Sequence, residues 1–270
     1  LICVYGGDSA DLFREALDSI LGQQLGPSVE SRIYLGVDGP VALEVDRIIN
    51  EYADRLFLVS RSDTNRGLAT TLNRLLAHLG DEEFVFRMDA DDVSLPTRYQ
   101  KQLDYLAAHP AIDILGTGIT EVNVGSGEEH EVRFSVGPED AAAGIHKRVP
   151  VAHPTVCFRR RVFHEISGYP VVGTNEDIAL WFECLRRGFL FDNLPSSLLR
   201  FRISPDFWQR RSLKKARSEL FCYWRGIRSI HGLFTVRYTY PLLRFLLRLA
   251  PTFVSKWAYR SSFRVRGQSR

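Results

Sequence analysis

Methionine occurs once and cysteine four times in the 270 residues. Cys3, Cys157, Cys184 and Cys222 form no CxxC and show no paired spacing. That argues against a zinc site or a disulfide framework, and the pattern reads as reduced, cytosolic thiols. No run of 18 apolar residues and no secretory leader is present, so nothing in the sequence is expected to span a membrane. Internal repeats and low-complexity stretches are missing too. There is neither a Walker A sequence nor a GxGxxG fingerprint, which disfavours ATP hydrolysis and NAD binding. Acids are scarce in one region only. Residues 200–270 hold Asp206 and Glu219 against 17 Lys and Arg, while the preceding 199 residues hold 30 acids and 18 bases. An acidic body with a tail of net charge +15 points to a polyanionic surface, membrane or nucleic acid, as partner. Because Leu1 already lies in an apolar run, a residue or two of the native start is expected before it.

What the chain does have is an ordinary globular composition, 45% hydrophobic and 25% charged, at a length that can bury a full core. Strand-like and helix-like segments alternate through its first half. Residues 1–5, 33–37, 56–60, 84–88 and 112–116 read as strands. Residues 11–24, 41–53, 68–79 and 95–108 read as helices from their apolar spacing. This rhythm predicts a mostly parallel, doubly wound α/β sheet. The pattern then changes. Residues 117–124 and 130–136 flank Gly125-Ser126-Gly127 as an antiparallel hairpin. Helices follow over 138–147, 161–166 and 175–187, with a strand over 155–158.

The segment that carries most chemical meaning is Phe84-Val85-Phe86-Arg87-Met88-Asp89-Ala90-Asp91-Asp92. A buried parallel strand reads as continuous apolar sequence. In open α/β sheets, ligands bind just beyond the carboxyl ends of such strands. Packed carboxylates repel, and a hard divalent cation shared with phosphate oxygens accounts for their clustering. The alternative is a solvated turn in which Asp92 or Ser94 caps the helix starting near Pro96. Three more loops fall on the same expected edge: Tyr5-Gly6-Gly7, Asp38-Gly39 and Asn65-Arg66-Gly67. Each alone reads as a simple turn; together they make a pocket suited to a nucleotide diphosphate with metal. A second acidic pair, Glu176-Asp177, reads either as acids favoured by a helix dipole or as a general base for an acceptor hydroxyl. His153, in Val151-Ala152-His153-Pro154-Thr155, is either a satisfied structural histidine or part of the site.

These residues carry a resemblance. The chain looks like a family 2 glycosyltransferase with the GT-A type fold, similar to the amylovoran-biosynthesis group of exopolysaccharide transferases. "VYGGDSADLFREALDSILGQ" resembles the family's opening strand, loop and helix, and "LGVDGP" its uracil-side strand end. "NRGLATTLN" and "FRMDADDVSLPTRYQKQ" resemble the diphosphate and DxD regions. "VAHPTVCFRR", "GTNEDIALWFECLRRG" and "WQRRSLKKARSE" follow at family spacing. The likeness covers the whole chain and is weakest beyond Arg237. It implies Asp89 and Asp91 as DxD acids that hold Mg²⁺ or Mn²⁺, with Asp91 favoured as the direct ligand and Asp92 as their neighbour. It also implies Tyr5, Asp38, Arg66 and Gly67 as nucleotide contacts and Asp177, beside Glu176, as catalytic base. Arg210 and Arg211 are candidate diphosphate clamps. Two departures stand out. The family's opening Pro-x-Tyr-Asn is Cys3-Val4-Tyr5-Gly6 here. The QxxRW motif of processive synthases is absent, since Leu213 follows Gln209-Arg210-Arg211-Ser212, which implies transfer of one sugar rather than polymerisation.

The resemblance implies an inverting, metal-dependent transferase moving one sugar from a UDP-sugar or similar donor to a glycan or lipid-linked acceptor. The rivals are a sugar-nucleotide pyrophosphorylase and an inactive membrane-bound scaffold. Tyr5-Gly6-Gly7-Asp8-Ser9 lacks the Arg or Lys that the first rival needs, and the intact acids argue against the second. The expected domains are a catalytic unit over 1–205, with a nucleotide-sugar half (1–116) and an acceptor half (117–205), then a basic helical tail over 206–270. Leucines and aromatics mixed with Arg244, Arg248, Lys256 and Arg260 suit an interfacial helix on anionic lipid. That implies a cytoplasmic protein, peripheral on the inner face of the plasma membrane. A helix packed on the catalytic domain is the alternative for this tail. Nucleic-acid binding ranks third, since no recognised motif supports it.

Overall fold

The computed structural model describes residues 1–203 and 213–249. Strand and helix alternate first: β1 (Ile2–Tyr5), α1 (Ala10–Leu21), β2 (Tyr34–Asp38), α2 (Leu43–Glu51), β3 (Leu58–Ser62) and α3 (Leu68–Leu76). Then come β4 (Phe84–Phe86), β5 (Met88–Asp89), β6 (Val93–Ser94), α4 (Arg98–Ala108), β7 (Ile114–Asn123), β8 (Glu129–Val132), α5 (Pro138–Gly144) and β9 (Cys157–Arg159). The described chain closes with α6 (Arg161–Ile166), α7 (Glu176–Arg186), β10 (Phe191–Ile203), α8 (Leu213–His231) and α9 (Thr239–Leu249).

Apolar spacing explains the first layer. Phe13, Ala16, Leu17 and Ile20 recur at intervals of three and four and are all buried, the stripe with which a helix covers a sheet. All five residues of β2 are buried, as a strand covered on both faces requires. The parallel sheet has the order β3-β2-β1-β5, with Tyr5 opposite Asp38 and Asp38 opposite Ser62. A Cβ on Gly36 would lie 2.4 Å from a Thr71 side-chain carbon, so only glycine lets α3 sit this close.

The single strand expected over residues 84–88 breaks at Arg87. The Arg87 N–H donates to the Val156 carbonyl (3.0 Å), and the Met88 N–H donates to that of Leu1 (3.1 Å). Successive amides therefore bond into different sheets. β4 pairs antiparallel with β9, and only β5 joins β1 in parallel. An apolar run reports burial of both halves but not which neighbour each half takes. Similarly, the fifth strand expected at 112–116 starts at Ile114, runs to Asn123 and lies in a second, mixed sheet. That sheet has the order β4-β9-β7-β10-β6, with β8 on β7 as the expected hairpin. Neither Asp92 nor Ser94 caps a helix. α4 begins at Arg98 with Thr97 at its N-cap position, and Asp92 Oδ1 instead accepts the Arg202 N–H (3.0 Å).

No strand was expected over 191–203, a stretch that contains Pro195. β10 absorbs that stretch through register shifts between Leu194 and Ser197 and between Ser197 and Leu199, a bulge that accommodates proline. Beyond it, α8 lies against α7. The Phe182 and Tyr223 ring centroids are 5.7 Å apart, and a Cβ on Gly226 would fall 2.2 Å from the Phe182 ring. Cys222, Tyr223 and Ile227 share one buried cluster with Trp181 and Phe191, so α8 belongs to the core built by the preceding residues. Arg244 ties α9 to α8 through Glu219 (3.1 Å) and the Tyr223 hydroxyl (3.1 Å). Among the described residues no helix is long and apolar enough to cross a membrane.

Candidate active site at the carboxyl edge of the parallel sheet

Strand register brings three loops into one row. Tyr5 ends β1 exposed, its N–H donating to Asp8 Oδ2 at 2.9 Å. A Cβ on Gly6 would lie 2.8 Å from the Pro40 carbonyl oxygen, so the loop after β1 touches the loop after β2. Gly39, at φ +82°, would place a Cβ 2.6 Å from the Asn65 nitrogen, which brings the third loop against the second. Asp38 is buried and accepts the N–H groups of Arg66 (2.8 Å) and Gly67 (2.9 Å), one on each oxygen. A carboxylate has about four acceptor positions, so Asp38 shapes this loop with capacity left over. The Arg66 side chain stands exposed beside it.

β5 carries the chain into the acids. Asp89 pairs in register with Cys3, two positions short of Tyr5. Ligand oxygens of Asp89, Asp91 and Asp92 all lie within 4.8 Å of one another, and among the described residues these three form the one such cluster. Asp89 and Asp91 are half-buried and Asp92 is fully buried. Burial, then the charge of Asp89, pushes the Asp91 carboxyl up. Burial, then Asp89 and Asp91, pushes Asp92 well above the usual carboxylate range. Asp92 Oδ2 is buried with no partner among the described residues. A set of hard oxygen donors carrying this much mutual repulsion fits a hard divalent cation such as Mg²⁺ or Mn²⁺. The acids of the expected motif are thus brought together.

His153 is buried in a short 3₁₀ turn just before β9. Its Nε2 shares a 3.0 Å hydrogen bond with the Tyr169 hydroxyl, and its ring packs edge-on to Trp181. Burial, then the charge of Arg87, holds the imidazole well below its usual pKa; it is neutral at pH 7. Asn73 of α3 clamps the Tyr169 backbone through both the N–H (2.6 Å) and the C=O (2.9 Å). α7 follows from Asn175, whose φ of 66° is left-handed. The preceding Thr174 is held to Ser218 of α8 at 2.9 Å. Glu176 and Asp177 occupy the first turn of α7, both half-buried. Burial, then Glu176, raises the Asp177 carboxyl to about 6, while Arg87 pulls the other way. A carboxylate so poised takes up a proton near neutral pH far more readily than an ordinary Asp.

Sequence reasoning missed Arg87 as a site residue and Arg98 altogether. Arg87 pairs with Asp89, and its charge reaches Asp91, Asp92, His153 and Asp177. Arg98, fully buried, donates to the carbonyls of Pro154 (2.9 Å) and Arg87 (3.1 Å) and so binds the His153 turn to the strand break. The signal for Arg87 was a lone charge inside an apolar run. Arg210 and Arg211 lie outside the described residues. A cavity of about 730 Å³ opens at the amino ends of β1 and β2, beside Leu1 and Tyr34, at the edge opposite to the acids.

A family model for glycosyl transferase family 2 matches residues 1–167. Over 274 residues the chain is 30% identical to an uncharacterized glycosyltransferase of Haemophilus influenzae, covering 98% of each chain. It is 28% identical to the amylovoran biosynthesis glycosyltransferase AmsE of Erwinia amylovora, with 96% of each covered. It is 26% identical to a UDP-Gal:alpha-D-GlcNAc-diphosphoundecaprenol beta-1,3-galactosyltransferase of Escherichia coli, covering 98% of this chain and 95% of that one. Among solved structures, S. aureus TarS in complex with UDP superposes with a TM-score of 0.66 at 19% identity, over 92% of this chain and 70% of that one. A mannosyltransferase of Pyrobaculum calidifontis in complex with GDP-Man and Mn²⁺ gives 0.62 at 16% identity, over 97% and 75%.

Proposed function

The chain belongs to glycosyl transferase family 2 and has the GT-A type fold, and from that premise we propose that it transfers a single sugar, with inversion, from a UDP-sugar to a glycan or lipid-linked acceptor in surface or exopolysaccharide synthesis. The observation that carries the reading is the cluster Asp89, Asp91 and Asp92, at the edge where Tyr5, Asp38 and Arg66 also end their strands and loops. The relatives that act in amylovoran synthesis and on a diphosphoundecaprenol acceptor support the substrate class.

In this reading Tyr5 and the loop around Asp38, Arg66 and Gly67 hold the nucleotide, and Arg210 and Arg211 reach its diphosphate. Asp89 and Asp91 hold the divalent cation, with Asp92 shaping the loop from beneath. The cation supplies Lewis-acid stabilisation of charge on the departing diphosphate. Asp177 accepts the acceptor hydroxyl's proton as the oxygen attacks the anomeric carbon, and the raised carboxyl pKa suits it to that task. His153, buried and neutral, holds the Tyr169 hydroxyl. Incubation with a panel of nucleotide sugars and membrane extracts, with and without EDTA, tests the reading. A glycosylated product that forms only without EDTA is expected; hydrolysis alone, or no product with any donor, counts against it.

The charge asymmetry and the surface of α9 support a peripheral position on an anionic membrane, on the cytoplasmic face. Arg244 turns inward, while Leu242, Leu243, Leu246 and Leu249 stay exposed and Phe234, just before the helix, is 99% exposed. Arg225 and Arg228 lie on α8, and Arg237 lies in the 3₁₀ turn that joins it to α9. Leucines beside bases suit the boundary of an anionic bilayer. The double change Leu243→Asp and Leu246→Asp should lower partition onto phosphatidylglycerol vesicles roughly tenfold or more. Added salt should weaken wild-type binding by screening. Equal partition of both proteins in sedimentation would make α9 a purely structural helix.

A further inference from the structure

Arg87 is only 3% exposed, yet it carries a charge into the place where the two sheets meet. Its backbone is fixed on both sides. The N–H donates to Val156 (3.0 Å) and the C=O accepts from Arg98 (3.1 Å). One terminal nitrogen, Nη2, pairs with Asp89 Oδ1. Nε and Nη1 are buried without a hydrogen-bond partner among the described residues. Burying an ion with donors left over is costly. An apolar side chain of similar volume would often serve packing as well or better. A residue kept for the core alone would not need this charge.

The pairing gives the reason. A carboxylate next to two others, all within 4.8 Å, would turn away from its neighbours if nothing held it. Arg87 grips one oxygen of Asp89 from beneath, from a backbone pinned at two points. We propose that Arg87 is a positioning residue, which fixes the Asp89 carboxylate so that its oxygens converge with those of Asp91 on a divalent cation. The inference rests on the metal reading above. It names a role for a side chain outside the three acids themselves. Partners that orient a ligating carboxylate typically cost 10–100-fold in metal affinity or activity when removed.

The test is Mn²⁺ titration in the presence of UDP, read as free Mn²⁺ by electron paramagnetic resonance, with a thermal melt on each protein. Arg87→Met should weaken Mn²⁺ binding by roughly 10–100-fold. Arg87→Lys keeps the charge but not the planar fork, so it should recover only part of the loss. The double variant Arg87→Met with Asp89→Asn should bind no worse than Asp89→Asn alone, because Arg87 acts through Asp89. A folded Arg87→Met that binds Mn²⁺ as tightly as wild type overturns the proposal, as do multiplicative losses in the double variant. If Arg87→Met does not fold, Arg87→Lys decides, and wild-type affinity there overturns it equally. A wild-type protein that binds no Mn²⁺ brings down the metal reading itself, a different outcome from losing this inference alone.

Discussion

Asp177→Asn should remove sugar transfer and leave donor binding nearly unchanged. General-base assistance is worth about 10²–10⁴-fold, and an amide of almost the same shape cannot take the proton. In the proposed reading the donor is held by other loops, so UDP affinity in the presence of Mn²⁺ should stay within a few-fold of wild type. Stability should move in the opposite direction to activity. The Asp177 carboxyl is raised from 3.8 to about 6 by burial and then by Glu176. The folded protein therefore binds this proton more tightly than the unfolded chain does. Its stability contribution is present below about pH 4 and is lost as pH rises through about 6. An amide removes that loss. At about 1.4 kcal/mol per pKa unit, the variant should gain roughly 2–3 kcal/mol at pH 8, with little or no gain near pH 4. In wild type, kcat/KM should climb through a limb near pH 6 as the base ionises. Steady-state kinetics, calorimetric titration with UDP, and melts at the two pH values check all three expectations. If turnover stays near wild type while the melting temperature falls, Asp177 is a helix-start acid, and Glu176 or another group is the base.

Asp91→Asn should abolish the metal dependence of nucleotide binding without unfolding the protein. Removing a ligating carboxylate should cost at least what removing an outer partner does, about 100-fold or more in UDP affinity with Mn²⁺ present. Burial and Asp89 already press against the Asp91 charge, so an amide should hold or slightly raise the melting temperature. EDTA should then reduce wild-type UDP binding to the variant's level and leave the variant unchanged. UDP binding indifferent to both the substitution and EDTA would sink the metal assignment.

The location of these groups was legible because burial and charge are written locally. An apolar run ending in Asp89, Ala90, Asp91 and Asp92 marks a strand end, and Tyr5 and Asp38 end apolar strands in the same way. Their adjacency follows from parallel pairing, which the alternation of strand and helix implies. Pairing partners are not local, and there the sequence was silent. Phe84–Phe86 and Met88–Asp89 look like one strand, but they separate because Arg87 and Met88 bond to Val156 and Leu1 respectively. β10 went unread because it holds Pro195, which cannot donate to a ladder, at a register shift that only its pairing with β7 reveals. Arg98 was unreadable as a buried stitch because its acceptors, the carbonyls of Arg87 and Pro154, belong to no side-chain pattern.

The hydrogen bond from the Arg202 N–H to Asp92 joins residues 110 positions apart, and this bears on the order of folding. A growing chain that has emerged only as far as α7 already contains Asp89, Asp91, Asp92 and Asp177. It still lacks β10, which pairs with both β6 and β7 and supplies the amide under Asp92. Contacts of such sequence separation carry a large loop-closure cost and form late. The nascent protein would thus display its acids on an unbraced loop until β10 arrives. Cation affinity would mark completed folding rather than guide its early steps.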